Sequence, residues 1–331
     1  MWFEKLTGFK EENPEQVRRN LEIDGTKLIS KVNGAEYNCG QLEVASLHEL
    51  RKRALPGVNR KSKIRISEVV GNVQAFHKDP SNAGAMFQAA SQFNLLEMLG
   101  PYITPEKGVG IYENDYTQGP SCAIACGAGT IYRNYFALVN GQLGQTAHNQ
   151  IDCLKDIGFG LRNDTLKLWE MTNGYALIKD LESLKTIAAQ IKNKTEEEYE
   201  DLKGKLSIGI QWNTEVTISS AKQLVSQAYC SALPVRYSTV RSDYWQEFAC
   251  LVLEATYEAT FYAALENFVK TGIDKVYLTM VGGGAFGNRE EWIMDALRKV
   301  ISKFSDSPLD VSIVSYGKSK PAVVELINSI S

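Results

Sequence analysis

The feature that most constrains this sequence is a glycine-rich turn near the end of the chain. Residues 276–281 are almost continuously apolar, which is typical of a buried strand. Four glycines follow within six residues, at Gly282, Gly283, Gly284 and Gly287, and a helical pattern begins at about Arg289. Glycines at a strand's carboxyl end let the backbone approach a ligand, and the N–H groups of a helix start favour an anion. The pattern therefore predicts a phosphate-binding turn.

The spacing Gly282-x-Gly284-x-x-Gly287 also matches the fingerprint of dinucleotide-binding domains. That fingerprint requires an acidic residue at the end of the next strand. The next predicted strand, 309–315, ends in Ser315 and Tyr316, without a carboxylate, and about fifteen residues then remain. A Walker-type loop is excluded because no Gly-Lys-Ser/Thr closes the turn. A nucleotide-dependent oxidoreductase stays as the third of three functional hypotheses, and it would require a nicotinamide-linked spectral change.

The composition predicts an ordinary globular protein with a sizeable core. The 331 residues are 44% hydrophobic and 23% charged, with a formal net charge of −3, so we expect neither a nucleic-acid nor a membrane partner. We find no signal-like start and no apolar run of about 18 residues, and the six cysteines are scattered. These features predict a cytoplasmic protein with reduced thiols. With only three histidines, no metal site is predicted.

The order of patterns along the chain predicts one α/β domain over residues 1–331. Residues 1–60 are predicted to form a helical amino-terminal extension, and residues 178–270 a helical central elaboration within the domain. Inside that elaboration, the pattern predicts a strand at 206–212, a helix over 220–227 and a long core helix from about 244 to 271.

A loop rich in carboxylates follows a short predicted strand over residues 84–94. That strand ends in small and amide side chains, where α/β folds place ligand contacts, so Gln88, Ser91 and Asn94 are candidates for binding. The loop then runs from Leu95 to Gln118 and closes in Thr-Gln-Gly-Pro. So long a connection is usually functional. Its four carboxylates are the leading candidates for acid/base chemistry: Glu97, Glu106, Glu113 and Asp115.

Three segments, in this order along the chain, resemble motifs of the macrodomain family of ADP-ribose-binding folds. Residues 71–74, Gly-Asn-Val-Gln, resemble the family's early Gly-Asp-Ile-Thr turn. Residues 85–91, Ala-Met-Phe-Gln-Ala-Ala-Ser, resemble its Ala-Ile-Val-Asn-Ala-Ala-Asn strand, and residues 281–288 resemble its late diphosphate loop. The resemblance implies a mixed sheet flanked by helices, with ADP-ribose as ligand or product and no cofactor.

The resemblance also implies a role for each matching residue. Asn72 would contact adenine, and Gln88 and Ser91 would contact ribose. Phe286 would cover the distal ribose, and Tyr316 would stack on adenine. The residues that would hold the diphosphate are Gly283, Gly284, Ala285 and Gly287.

Together with the Thr-Gln-Gly-Pro segment, the elaborations are similar to the divergent poly(ADP-ribose) glycohydrolase-like branch that includes MavL-type effector hydrolases. This likeness implies an ADP-ribosyl hydrolase that acts on ADP-ribosylated protein without a metal. Its catalytic candidates are Glu97, Glu106 and Asp115, with Glu113 in reserve. The family's triple glycine and the glycohydrolases' Gln-Glu-Glu are absent. The alternative is therefore a non-catalytic reader module that binds ADP-ribose without turnover.

Overall fold

A computed structural model describes residues 1–53 and 62–330 of the protein. Helices surround a seven-stranded mixed sheet, as the α/β prediction requires. The strands are β1 Leu21–Asp24, β2 Lys27–Ser30, β3 Glu36–Asn38, β4 Gln41–Ser46, β5 Arg65–Val70, β6 Met86–Ala90, β7 Leu138–Val139, β8 Gln142–Leu143, β9 Trp169–Thr172, β10 Tyr175–Ile178, β11 Ser207–Glu215, β12 Leu224–Cys230, β13 Lys275–Leu278 and β14 Asp310–Ser315. The helices are α1 Trp2–Thr7, α2 Pro14–Asn20, α3 Leu47–Arg53, α4 Val73–Lys78, α5 Gln118–Ala125, α6 Gly127–Tyr135, α7 Lys155–Gly160, α8 Asn163–Leu166, α9 Leu181–Lys192, α10 Glu196–Gly204, α11 Gln246–Thr271, α12 Glu290–Lys303 and α13 Pro321–Ile330.

The large sheet has the strand order β4-β11-β12-β6-β13-β14-β5. Its five strands from β12 to β5 are mutually parallel. At one edge β11 pairs antiparallel with both β12 and β4, so β11 alone runs in the opposite direction. Because parallel strands end at the same edge of a sheet, the turns after β5, β6, β12, β13 and β14 come together there. Ligands bind at this edge in open α/β sheets.

The long helix α11 forms the centre of the main core, as its apolar pattern predicts. Nearly every side chain from Phe248 to Leu265 is buried. The stretch Ser242–Thr271 is long and apolar enough to cross a membrane, with a mean hydropathy of 1.2, although no such run was predicted from the sequence. In this fold 94% of its apolar window is buried, which is typical of a core helix.

The amino-terminal region is less helical than predicted. It contains the three short helices α1, α2 and α3, but also four strands that the prediction omitted. Strands β1 to β3 form a separate meander, and β4 pairs antiparallel with β11 from Gln41 opposite Trp212 to Ser46 opposite Ser207. Pairing with a distant strand, which no local pattern indicates, makes β4 part of the main sheet. Residues 54–60 of the predicted extension lie outside the described residues.

The central region, 178–270, also differs from its prediction. Helices α9, α10 and α11 lie there, and the strand predicted at 206–212 is β11, Ser207–Glu215, but the strand β12 was not predicted. The helix predicted over 220–227 is wrong, because Leu224–Cys230 is the strand β12. Its polar side chains face the interior: Gln227 Nε2 donates to the Cys122 carbonyl at 2.9 Å, and the Tyr229 hydroxyl donates to Gln227 Oε1 at 2.7 Å. Because these buried residues are polar, the strand lacks the alternation of apolar and polar residues by which strands are predicted.

A second hydrophobic cluster joins the amino-terminal segment to the acidic loop. It contains Phe3 and Leu28 from the amino-terminal segment, Met98 and Tyr112 from the loop, and Tyr135 from α6, all buried. The loop is therefore packed against another part of the chain rather than free in solvent.

Candidate functional site

A cavity of about 700 Å³ opens at the carboxyl edge of the five parallel strands. Every one of these strands contributes the residues that follow its end. The contributions are Gly71 and Asn72 after β5, Ser91 and Gln92 after β6, Ala232 after β12, Thr279 to Ala285 after β13, and Tyr316 after β14. The opposite side is closed by Glu97 to Leu99 and by the segment from Asp115 to the start of α5. This volume suits a small-molecule ligand.

The glycine loop between β13 and α12 has the geometry of an anion site. Gly282 has φ of +76°. A Cβ there would lie 2.5 Å from the Ala232 Cβ, so the position requires glycine. Among the described residues, the N–H groups of Gly284, Ala285 and Phe286 find no hydrogen-bond acceptor. Consecutive free backbone N–H groups of this kind form a concave binding site for phosphate.

Aromatic rings form one end of the cavity, beside the glycine loop. The Phe286 ring centroid lies 5.2 Å from that of Tyr175 and 5.8 Å from that of Tyr237. Tyr175 begins β10 and Tyr237 follows β12, so three distant segments meet here. Phe286 was predicted from the sequence, but both tyrosines were missed. The one local signal for Tyr175 is the turn Asn173-Gly174 ahead of it, which marks the hairpin that places it here.

The Asp115 carboxylate lies at this aromatic end. The pKa of the Tyr175 phenol is raised, first by burial, then by the Tyr237 hydroxyl and by the negative charge of Asp115. Asp115 lines the cavity and is half-buried, and its Oδ1 accepts a hydrogen bond from the Thr117 N–H at 2.8 Å. Its other oxygen has no protein partner among the described residues. Asp115 thus offers a positioned carboxylate oxygen to a ligand.

Glu97 stands in the same wall but is almost completely buried, with 2% of its surface exposed. Burial raises the pKa of Glu97 to about 8, although the positive charge of Arg133 opposes the shift. The Arg133 Nη2 lies 3.8 Å from the Glu97 Oε2, too far for a hydrogen bond. Neither carboxyl oxygen of Glu97 has a hydrogen-bond partner among the described residues. At neutral pH this group is therefore mostly a neutral acid.

Glu113 lines the cavity but is engaged elsewhere. Its Oε2 accepts a hydrogen bond from the Trp2 N–H at 3.1 Å, which ties the loop to the amino terminus. Of the three cavity carboxylates of the acidic loop, Asp115 is thus both accessible and unengaged by another segment.

The other end of the cavity holds Asn72, Tyr316 and Lys320. Tyr316 is 76% exposed, so its ring is free to stack on a ligand. Among the described residues that line the cavity, Lys320 is the one lysine or arginine. Its Nζ contacts the Met280 sulfur at 3.2 Å, which is a weak acceptor. Glu68 holds this segment by accepting hydrogen bonds from the Ser315 hydroxyl and the Lys320 N–H.

Four predicted site residues lie outside the cavity wall. Gln88 is fully buried, where its Nε2 donates to the Thr260 hydroxyl at 2.8 Å and its Oε1 accepts from the Thr279 N–H at 3.2 Å. The Asn94 Nδ2 donates to Gln150 Oε1 at 2.8 Å.

The two remaining residues also have structural partners. Glu106 faces away and accepts from the Ala147 N–H at 2.8 Å. Gly287 closes the glycine loop, with its N–H donating to the Gly284 carbonyl at 3.2 Å. These four residues point away from the cavity because of the direction in which three of the side chains, and the Gly287 N–H, leave the strand or loop. A motif match does not predict that direction. Of the predicted residues, the structure brings together Asn72, Ser91, Glu97, Asp115, Gly283, Gly284, Ala285, Phe286 and Tyr316.

Across residues 1–53 and 62–330, no group of three or more His, Cys, Asp or Glu side chains is arranged to hold a metal ion.

Comparison with known proteins finds no matching family model and no matching curated sequence. Similar solved structures include the poly(ADP-ribose) glycohydrolase of Thermomonospora curvata bound to the inhibitor ADP-HPD. It is 10% identical, with a TM-score of 0.48 over 95% of each chain. Another is the poly(ADP-ribose) glycohydrolase of Deinococcus radiodurans in complex with ADP-ribose. It is 8% identical, with a TM-score of 0.47 over 88% of this chain and 95% of that one. At these values the similarity is remote, and the residue roles rest on the cavity itself.

Proposed function

We propose that the protein is an ADP-ribosyl hydrolase, which removes ADP-ribose from modified protein by glycosidic cleavage at the distal ribose. The observation that carries the proposal is the position of Asp115. This half-buried carboxylate lies at the same end of the cavity as Phe286, beside a loop with three free N–H groups. One cavity thus offers a phosphate site, an aromatic ring to cover a sugar and a carboxylate near the glycosidic bond of that sugar.

ADP-ribose matches the chemistry of this cavity from end to end. Its diphosphate is an anion, for which the N–H groups of residues 284–286 and the ammonium of Lys320 are the complementary donors. The adenine would lie toward Asn72 and the exposed ring of Tyr316. The distal ribose would then lie against Phe286 and place its anomeric carbon toward Asp115.

The reaction that suits these groups is carboxylate-assisted glycoside cleavage. Breaking the bond at the anomeric carbon builds positive charge on the sugar, which an adjacent carboxylate stabilises, and the same carboxylate can activate water. We assign this role to Asp115. Glu97, which is mostly protonated at neutral pH, is the group in the wall suited to give a proton to the leaving group. Both of its carboxyl oxygens are covered by protein, so this proton transfer requires the Glu97 side chain to turn toward the cavity. No metal is required for this chemistry.

The finer placement of the protein is part of the proposal. The residues Thr117 to Pro120, at the start of α5 and in the cavity wall, support a place in the glycohydrolase-like branch near the MavL-type effector hydrolases. An ADP-ribosylated protein would be the partner, and the cytoplasm the location.

The test is release of ADP-ribose from a mono-ADP-ribosylated protein by the purified chain, with EDTA present. We expect the wild type to release it and Asp115→Asn to lower kcat by about 10²- to 10⁴-fold, the usual worth of a positioned acid/base group. The matched variant is Glu106→Gln, in the same loop but outside the cavity, which should keep wild-type turnover. The proposal fails if the wild type releases nothing, or if Asp115→Asn is as active as the wild type.

A reader that binds ADP-ribose without turnover is the second candidate. It is favoured by Gln88 and Asn94, amides at or near the ribose motif whose side chains are engaged inside the protein. Calorimetry with free ADP-ribose separates the candidates when combined with the release assay. Binding without release supports the reader, and absence of binding contradicts both candidates.

A further inference from the structure

A half-buried glutamate of the amino-terminal segment, Glu11, contacts the acidic loop. We propose that Glu11 is a positioning residue, which holds the loop so that Asp115 faces the cavity. Its consequence for catalysis rests on the hydrolase function proposed above. Glu11 does not line the cavity, so it acts only through the loop.

Three donors converge on the Glu11 carboxylate. The Val109 N–H donates to Oε1 at 3.0 Å, the Gly110 N–H donates to Oε2 at 2.6 Å, and the Tyr135 hydroxyl donates to Oε1 at 2.7 Å. A site made entirely of donors fits an ionised carboxylate, which only accepts. Hydrogen bonds to a charged acceptor are about twice as strong as those between neutral groups.

The loop is shaped around this carboxylate. A Cβ at Gly108 would lie 2.5 Å from the Glu11 Cδ, and one at Gly110 would lie 2.7 Å from its Oε2. Gly108 also has φ of +89°, which disfavours any other residue. The two glycines of the Gly-Val-Gly sequence thus leave the space that the Glu11 side chain fills.

The contact is transmitted to Asp115 through one short turn. Gly110 begins a 3₁₀ turn, Gly110–Asn114, and Asp115 is the residue that ends it. The Asp115 N–H donates to the Tyr112 carbonyl at 3.1 Å. The Tyr112 hydroxyl in turn accepts a hydrogen bond from the Glu97 N–H at 3.1 Å. A turn of five residues leaves little freedom between its ends, so a shift at Gly110 moves Asp115 and the contact to Glu97.

The test is Glu11→Gln, which preserves shape but replaces one acceptor oxygen with an NH₂ donor. Whichever oxygen it replaces, that donor faces a backbone N–H, of Val109 at one oxygen or of Gly110 at the other, so the loop loses its fixed position. We expect kcat for ADP-ribose release to fall about 10- to 100-fold. The Kd of free ADP-ribose should stay within about threefold, because the glycine loop is untouched. Glu12→Gln is the control, since the Glu12 side chain is exposed and has no hydrogen bond among the described residues.

Hydrogen exchange provides a readout that does not need turnover. In Glu11→Gln, amides 109–115 should exchange about tenfold faster, whereas those of 282–287 should keep their wild-type rates. This result supports the positioning role even if the wild type releases no ADP-ribose, an outcome that contradicts only the hydrolase proposal. Equal exchange of residues 109–115 in both proteins overturns the inference. It is also overturned if kcat is unchanged, or if kcat, affinity and Tm fall together as in general destabilisation.

Discussion

The two walls of the cavity are built in different ways. The glycine-loop wall, Thr279 to Phe286, is one continuous segment between β13 and α12. The acidic wall combines Glu97 and Asp115 from one long loop with Tyr175 from a hairpin, and Glu11 holds its loop from outside. The first wall is encoded by neighbouring residues and the second by contacts between distant ones.

This difference determines how each wall can be damaged. In the glycine-loop wall, the backbone conformation itself forms the site, so one added methyl group disturbs it wherever the turn leaves no space for a Cβ, as at Gly282. In the acidic wall, the functional carboxylates have ordinary backbone conformations, and distant side chains determine where they lie. We therefore expect backbone substitutions to break the first wall and conservative side-chain changes to break the second.

The largest effect should come from Gly282→Ala. An alanine would have to adopt φ of +76° with its Cβ 2.5 Å from that of Ala232, so the free energy of unfolding should fall by about 2–4 kcal/mol. The control is Gly284→Ala, where a Cβ meets no atom within 4 Å and the free energy should change by less than about 0.5 kcal/mol. Urea unfolding measures both. Equal losses in the two variants would show that the loop is not held by Gly282.

Lys320→Met should give a smaller effect, and it separates the side-chain partner of the diphosphate from the backbone partners in the glycine loop. Loss of the ammonium should raise the Kd of ADP-ribose about tenfold, because it removes one charged partner of the diphosphate while the backbone N–H groups remain. The difference should shrink as salt is added, since Lys320 is only half-buried. Lys318→Met, exposed and outside the cavity, serves as the control. Calorimetry at low and high salt makes the measurement, and a wild-type Kd in Lys320→Met contradicts the assignment.

The parts that could be predicted from the sequence are those that one segment encodes by itself. The strand, glycines and helix of residues 276–303 have local patterns, and the structure contains all three. The core helix α11 also follows from its apolar spacing. Phe286 could be placed in the site because it belongs to the same segment as the glycines.

The parts that could not be predicted depend on partners far along the chain. Strand β4 becomes part of the main sheet only by pairing with β11, about 165 residues later. Gln88 matches the motif position, but Thr260 of α11 and the Thr279 backbone bind its side chain in the interior. Glu11 lies in a polar segment without a motif, and only the fold shows that its carboxylate meets Gly110. Side-chain direction and long-range pairing decide these cases, and neither has a local signal.

The smallest expected effect tests the acidic wall through pH. Burial raises the pKa of Glu97 from 4.5 to about 8, so the folded state binds this proton more tightly than the unfolded chain does. The stability from Glu97 is then fully present below its unfolded pKa and is lost as the pH rises through about 8. Glu97→Gln mimics the neutral form and should lack this loss. From about pH 6 to about pH 9, the Tm of the wild type should fall about 2–4 °C further than that of the variant. Glu12→Gln, the control, should show the same dependence of Tm on pH as the wild type. If the Tm of Glu97→Gln also falls in parallel with that of the wild type, Glu97 is already ionised in the folded protein at neutral pH. The proton-donating role would then belong to another group in the wall.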